Sequence, residues 1–113
     1  MSAITTHVLD ITRGLPAEGV RIELERKQDE QWLALGSGVT DGNGRLSDLL
    51  PRESTLRPAL YRLRFLTGEY FSRLGITALH PFIEIVFDAR DEGGHYHVPL
   101  LVTPHAYSTY RGS

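Results

Sequence analysis

Apolar and charged residues alternate along much of this chain with a period of two. Val20-Arg21-Ile22-Glu23-Leu24-Glu25-Arg26 puts apolar side chains on one face and charges on the other, as a half-buried strand requires. Tyr61, Leu63 and Phe65 alternate with Arg62 and Arg64 in the same way, and residues 82–87 set Ile83, Ile85 and Phe87 against Glu84. Weaker alternation predicts strands over 5–10, 32–39, 96–102 and 106–110. Turn chemistry separates these segments: Gly14-Leu15-Pro16, Asp41-Gly42-Asn43-Gly44, Asp91-Glu92-Gly93-Gly94 and Thr103-Pro104. Short strands with turn signals at this spacing predict an antiparallel sandwich or barrel. One segment breaks the rule. Over residues 67–75, Tyr70, Phe71 and Leu74 fall at helical spacing and Gly75 follows as a C-terminal cap, so a helix of about two turns is expected against the sheet edge. Residues 47–58 are the least regular and read as loop with a short strand.

A length of 113 residues predicts one domain, residues 1–113. Such a domain buries a modest fraction of its surface, so self-association would help it, and exposed apolar strand faces would welcome burial. The formal net charge is -2, with 12 basic and 14 acidic side chains, which offers no electrostatic case for nucleic acid or an anionic membrane as partner. With no cysteine there are no disulfides, thiolate nucleophiles or cysteine-ligated metal sites. No apolar run approaches the roughly 20 residues of a membrane span, and the first residues lack the basic-then-apolar order of a secretory signal. A cytoplasmic protein is the expectation.

The candidate chemistry lies mostly in the last stretch, Gly94-His95-Tyr96-His97-Val98-Pro99-Leu100-Leu101 and on to Tyr107-Ser108-Thr109-Tyr110-Arg111-Gly112-Ser113. Chain termini of small domains are usually frayed and polar, whereas this one keeps rings and a guanidinium up to its final residue. His95 and His97, two apart on a strand, point the same way and invite a metal. Zinc would need a third ligand, here His7, His80, His105 or a carboxylate, and no familiar zinc spacing is present; acid–base work by one imidazole is the stronger reading. His80 and His105 sit beside Pro81 and Pro104, which predicts loop positions. His7 shares a strand face with Leu9 and Ile11, and taken alone suits a structural role. Arg45, after the Asp41–Gly44 turn, is on its own a solvated arginine or else a guanidinium fork aimed into a pocket. Ser113 has no nucleophile elbow around it, and neither Gly36-Ser37-Gly38 nor the Asp41 turn has the setting of a phosphate loop. What remains is water activation by histidine, with arginine and hydroxyl groups holding a small polar substrate.

Thr6-His7-Val8-Leu9-Asp10, Asp41-Gly42-Asn43-Gly44-Arg45, His95-Tyr96-His97-Val98-Pro99-Leu100-Leu101 and the closing Tyr110-Arg111-Gly112-Ser113 together resemble the 5-hydroxyisourate hydrolases, the transthyretin-related enzymes of purine breakdown. Leu15-Pro16-Ala17-Glu18-Gly19-Val20 and Thr67-Gly68-Glu69-Tyr70-Phe71 extend the likeness over almost the whole chain. The terminal tetrapeptide is the most specific element, because transthyretin lacks it. Ala78-Leu79-His80-Pro81 departs from the aromatic pair that many members carry before the proline, away from any catalytic position.

The resemblance implies an all-β, transthyretin-like sandwich of two four-stranded antiparallel sheets with one short helix. It also implies a homotetramer, a dimer of dimers, with active sites where dimers meet, and no metal or organic cofactor. The implied reaction adds water to a ring amide carbonyl of 5-hydroxyisourate and yields 2-oxo-4-hydroxy-4-carboxy-5-ureidoimidazoline. By residue matching, His7, Arg45, His97 and Ser113 are the expected catalytic set. His7, Arg45, Tyr110, Arg111 and Ser113 are expected to bind substrate, and His95 has no catalytic role. One of His7 and His97 is the expected base, the other positioning water or returning the proton. Ser113 is expected to use both its hydroxyl and a terminal carboxylate, so that a tag there abolishes turnover. The rival reading is a non-catalytic small-ligand-binding module on the same fold.

Overall fold

The computed structural model describes residues 2–113 and contains nine strands and one helix among them. In chain order these are β1 (Ile4–Asp10), β2 (Leu15–Pro16), β3 (Arg21–Gln28), β4 (Gln31–Val39), β5 (Arg45–Leu46), β6 (Ala59–Phe65), α1 (Thr67–Arg73), β7 (Ile83–Ala89), β8 (Tyr96–Val102) and β9 (Tyr107–Thr109). They form two sheets. One has the order β4-β3-β6-β7 and is antiparallel throughout. The other has the order β2-β1-β8-β9, with the two-residue β5 also paired to β1. The expected sandwich is therefore present, with five strands rather than four in one sheet because two short pieces, β2 after the Gly14 turn and β5 after the Asp41 turn, both dock on β1.

The pairing of β1 with β8 is parallel, from Ile4 opposite Tyr96 to Asp10 opposite Val102. A parallel pair needs a crossover, and here the crossover contains the entire β4-β3-β6-β7 sheet and the helix. Residues 47–58 hold no strand; the short one falls just before them, at Arg45–Leu46. Helix α1 has the expected length of about two turns, and Gly75, at φ 75°, closes the turn after it by donating its N–H to Ser72 O at 2.9 Å.

Alternation sets the core. Ile22 and Leu24 of β3, with Tyr61, Leu63 and Phe65 of β6, face Ile4, Val8, Val98 and Leu100 of the other sheet, and α1 adds Tyr70 and Phe71. Two polar groups of β1 also point inward, and both are satisfied. Thr6 Oγ1 donates to Val98 O at 2.6 Å, and buried Asp10 accepts from Tyr70 Oη at 2.8 Å and from the Arg13 N–H at 3.2 Å.

The two outer faces differ. On the β3-β6-β7 face, Arg62 and Arg64 interleave with Glu23, Glu25 and Glu84 at 2.6 to 3.7 Å, and the Arg62 guanidinium lies 4.3 Å from the Trp32 ring centre. That face is electrostatically closed on itself. On the other, Thr5, His7 and Leu9 of β1 stand beside His97 and Leu101 of β8, half-buried and with no ion pair among them. Candidate chemistry concentrates on this second face.

Candidate active site

The edge of the site is built by the Asp41-Gly42-Asn43-Gly44 turn. Its geometry is local: the Asp41 carboxylate accepts the N–H of Asn43 at 2.9 Å and of Arg45 at 3.0 Å, and Gly44 N–H returns to Asp41 O at 2.8 Å. Gly44 must be glycine, at φ 75° and in a place where a β-carbon would run into the Val8 carbonyl oxygen. Those two backbone donors, Arg45 N–H and then Asn43 N–H, hold the Asp41 carboxyl below its usual range, and the charges of Arg45 and His7 add to the effect. The turn thereby pins β5 against β1 with Arg45 directly opposite His7. His7 Nε2 lies 2.8 Å from Asn43 O. A carbonyl can only accept, so His7 carries its proton on Nε2 and, when neutral, its lone pair on Nδ1.

His97 is placed by β8, where the parallel register sets it opposite Thr5. Its Nδ1 is 2.8 Å from Thr5 Oγ1. After β9 the chain folds back, and Gly112 pairs with His97 as an isolated bridge, Gly112 N–H donating to His97 O at 2.8 Å. Gly112 also fits flush against the ring, so that a β-carbon there would stand 2.6 Å from His97 Cδ2. Burial lowers the His97 pKa from 6.5, and the positive charges of Arg45 and His7 lower it further; only hydrogen bonding of the ring to the Thr5 backbone opposes them. Burial and the neighbouring charges thus favour the neutral ring, the form that can act as a base.

Thr5, Arg45, His95, His97, Gly112 and Ser113 line one pocket of about 390 Å³. Among the described residues Arg45 makes no ion pair, so its guanidinium is available to a ligand, and Ser113 does not neutralise it. His7 stands at the rim, beside Arg45 rather than in the wall. Of the expected set, then, Arg45, His97 and Ser113 are brought together and His7 adjoins them. Tyr110 and Arg111 are not in this pocket. The Arg111 guanidinium lies 4.2 Å from the Tyr96 ring centre and donates to His95 O at 3.2 Å, while Tyr110 is 57% exposed; both border a separate hollow with Ile85, Phe87 and Val98. His80 and His105 lie in loops, His80 edge-on to Tyr107. Among the described residues no three histidine or carboxylate side chains are grouped to hold a metal ion.

A slightly larger hollow of about 420 Å³ lies beside α1, lined by Arg13, Tyr70, Arg73 and Glu18. It contains no histidine, so it offers no imidazole base. Thr5 and Gly112 went unremarked in the sequence as site residues. The signal for Thr5 was its place two residues before His7 on the same strand face; for Gly112 there was none short of the fold.

Replacing Gly112 by alanine tests the contact with the ring. The added methyl must displace either the terminal segment or His97, and overpacking of this kind costs roughly 1–3 kcal/mol. Because the segment is exposed, it is the segment that should yield, so kcat is expected to fall at least tenfold while thermal unfolding moves little, as turnover assays and circular dichroism melts will report.

A two-sheet sandwich of this order, with a histidine–arginine pocket on one outer face, defines a transthyretin-like protein. The chain belongs to the HIUase/Transthyretin family, whose profile matches residues 4–112. It is 44% identical over 112 residues to a probable 5-hydroxyisourate hydrolase of Caenorhabditis elegans, covering 99% of this chain and 82% of that one. Among solved structures it is similar to the 5-hydroxyisourate hydrolase of Klebsiella pneumoniae, with a TM-score of 0.87 and 36% identity over the full length of both chains. It is equally similar in fold to transthyretin from Sparus aurata, with a TM-score of 0.91 and 31% identity, covering 99% of this chain and 97% of that one. Backbone shape does not separate the two kinds of relative. The pocket has to.

Proposed function

We propose that this chain is a 5-hydroxyisourate hydrolase. The reading rests on one observation above the others: a half-buried His97 ring, fixed between Thr5 and Gly112, lines the same pocket as Arg45, which makes no ion pair among the described residues. A carrier of apolar ligands has no use for that pair, whereas hydrolysis of a polar cyclic amide needs both. Relatives that carry the hydrolase name at high coverage support the same conclusion.

In the mechanism we assign, substrate enters with a carbonyl edge against Arg45, whose fork binds it through two N–H donors. His97 takes a proton from water as the water oxygen bonds to the ring carbonyl carbon. The oxyanion so formed is stabilised by Arg45. As it collapses, the carbonyl carbon–nitrogen bond of the ring breaks, and the departing nitrogen takes the proton back from His97. His7, held by Asn43 at the rim, orients water or substrate, and the Ser113 hydroxyl completes the polar wall. Tyr110 and Arg111 serve from outside the pocket, Arg111 by anchoring the terminal segment on Tyr96 and His95.

The protein acts as a homotetramer, a dimer of dimers, in the cytoplasm, each chain a single domain of residues 1–113. Support for assembly comes from the exposed apolar side chains Leu60, Val86, Tyr107 and Tyr110 at strands and edges of this small domain. No helix among the described residues is long and apolar enough to cross a membrane.

The test is direct. Freshly generated 5-hydroxyisourate is mixed with the protein and its ultraviolet absorbance followed against the spontaneous decay. Acceleration in proportion to protein concentration is expected; none, with the fold intact, leaves a ligand-binding protein. A pH dependence follows as well. A base works only unprotonated, and the His97 pKa lies below 6.5, so kcat should hold at neutral pH and fall as pH drops through that lowered value. Arg45→Ala removes one of the charges that lower it, so the acidic limb of the kcat profile should move to higher pH.

A further inference from the structure

His97 cannot choose its own tautomer. A neutral imidazole has one N–H and one lone pair, and which nitrogen faces the reaction depends on what the other is bonded to. On this face there are two imidazoles, and the protein treats them differently. His7 is bound to a carbonyl, which forces the proton onto Nε2. His97 is bound to a hydroxyl, which permits either arrangement.

We infer that Thr5 is a positioning residue for the proposed hydrolysis: its hydroxyl oxygen accepts the Nδ1–H of His97 and so presents the Nε2 lone pair to the pocket. Three observations carry this. The parallel register places Thr5 directly opposite His97, both pointing outward, with Oγ1 and Nδ1 2.8 Å apart. As a β-branched residue in a strand, Thr5 has a restricted side-chain torsion, so the hydroxyl is a fixed post rather than a roaming partner. Gly112, flush against Cδ2, guards the opposite edge of the ring and opposes a flip that would take Nδ1 away from Thr5.

The field in the pocket decides between the two tautomers. Arg45 offers only donors and lines the same pocket, with His7 beside it and His95 at the wall; the Asp41 carboxylate, also at the wall, accepts the backbone N–H groups of Asn43 and Arg45 on Oδ1. An Nε2 lone pair directed there can accept from the Arg45 guanidinium or from water, whereas an Nε2–H cannot pair with Arg45 at all. The two histidines are thus held in opposite tautomers, His7 protonated on Nε2 and His97 on Nδ1. Only His97 turns its Nε2 lone pair toward the substrate.

The activity part of this inference rests on the proposed hydrolysis; the tautomer part does not. Nitrogen-15 NMR of the imidazoles in the wild-type protein at neutral pH should show His97 with Nδ1 protonated and Nε2 bare. In Thr5→Val, which keeps the β-branched shape, the Nε2–H form should become populated. There kcat is expected to fall roughly ten- to hundredfold, less than the roughly 10⁴-fold loss of a wholly wrong tautomer because both forms remain accessible. KM should stay within about twofold, and Thr5→Ser should restore most of the rate. A wild-type His97 protonated on Nε2 overturns the inference even if Thr5→Val does not fold. So does a folded Thr5→Val with unchanged imidazole signals and unchanged kcat. Should the wild-type protein fail to hasten the decay of 5-hydroxyisourate, the hydrolase reading falls while the NMR result still decides the role of Thr5.

Discussion

His97→Ala is expected to remove nearly all turnover, a fall of roughly 10²- to 10⁴-fold in kcat, the range that a positioned base contributes. The fold should be untouched. His97 points outward from β8, while the residues that hold β8 in the sandwich, Tyr96, Val98, Leu100 and Val102, point in. The measurement is stopped-flow decay of 5-hydroxyisourate beside near-ultraviolet circular dichroism. The comparison that gives it force is His95→Ala. His95 lines the same pocket, but it is the backbone carbonyl that accepts from Arg111, and the residue precedes the strand. It should lose less than about tenfold, well short of the range for a positioned base. Equal losses in both variants would show that the pocket needs imidazole in bulk rather than one ring in one place.

The second large effect concerns the terminal segment. Deleting residues 110–113 removes the Gly112 bridge to β8, the flush surface against His97 and the Ser113 wall of the pocket in one step. Activity should drop by roughly 10²-fold or more, because a base misplaced by an ångström loses that much. Stability should change little: Tyr110 and Arg111 are exposed, and β9 keeps its own pairing, with Leu100 opposite Thr109 and Val102 opposite Tyr107. Ser113→Ala is the milder companion, reporting the hydroxyl alone. A truncated protein with wild-type kcat would remove the segment from the mechanism altogether.

Much of this is legible in the amino-acid sequence. Alternation located the long strands because a sheet with one buried face writes its period directly into the residues, and helical spacing with a following glycine located α1. Alternation also fixed which side chains share a face, so His7 and Thr5 were readable as neighbours on one surface. What it cannot encode is the partner. Nothing in residues 4–10 says that they pair with residues 96–102, or that they do so in parallel, because the same pattern serves either direction. The hydrogen bond of Thr5 to His97 is a product of that pairing and stayed invisible with it. Tyr110 and Arg111 show the converse limit. A motif groups residues by adjacency, but the side chains of a tetrapeptide do not all face one way, and Arg111 turns to Tyr96 instead of the pocket. The matched set of His7, Arg45, His97 and Ser113 came from family likeness; the residues alone left each of them ambiguous.

The parallel pairing of β1 with β8 also has a consequence in time. As the chain is synthesised, β1 emerges early, but its central partner is about ninety residues away, as the 92-residue separation of Thr5 and His97 records. Until β8 arrives, one edge of β1 stays open, a template for wrong pairings and a source of slow folding. The second sheet, whose neighbours in sequence are mostly neighbours in space, can form while the nascent chain waits. The pocket is thus assembled after its scaffold, and any delay in delivering the last strands to the ribosome exit leaves a nearly folded protein with no activity. In a pulse-chase experiment, protease resistance should therefore appear before turnover does.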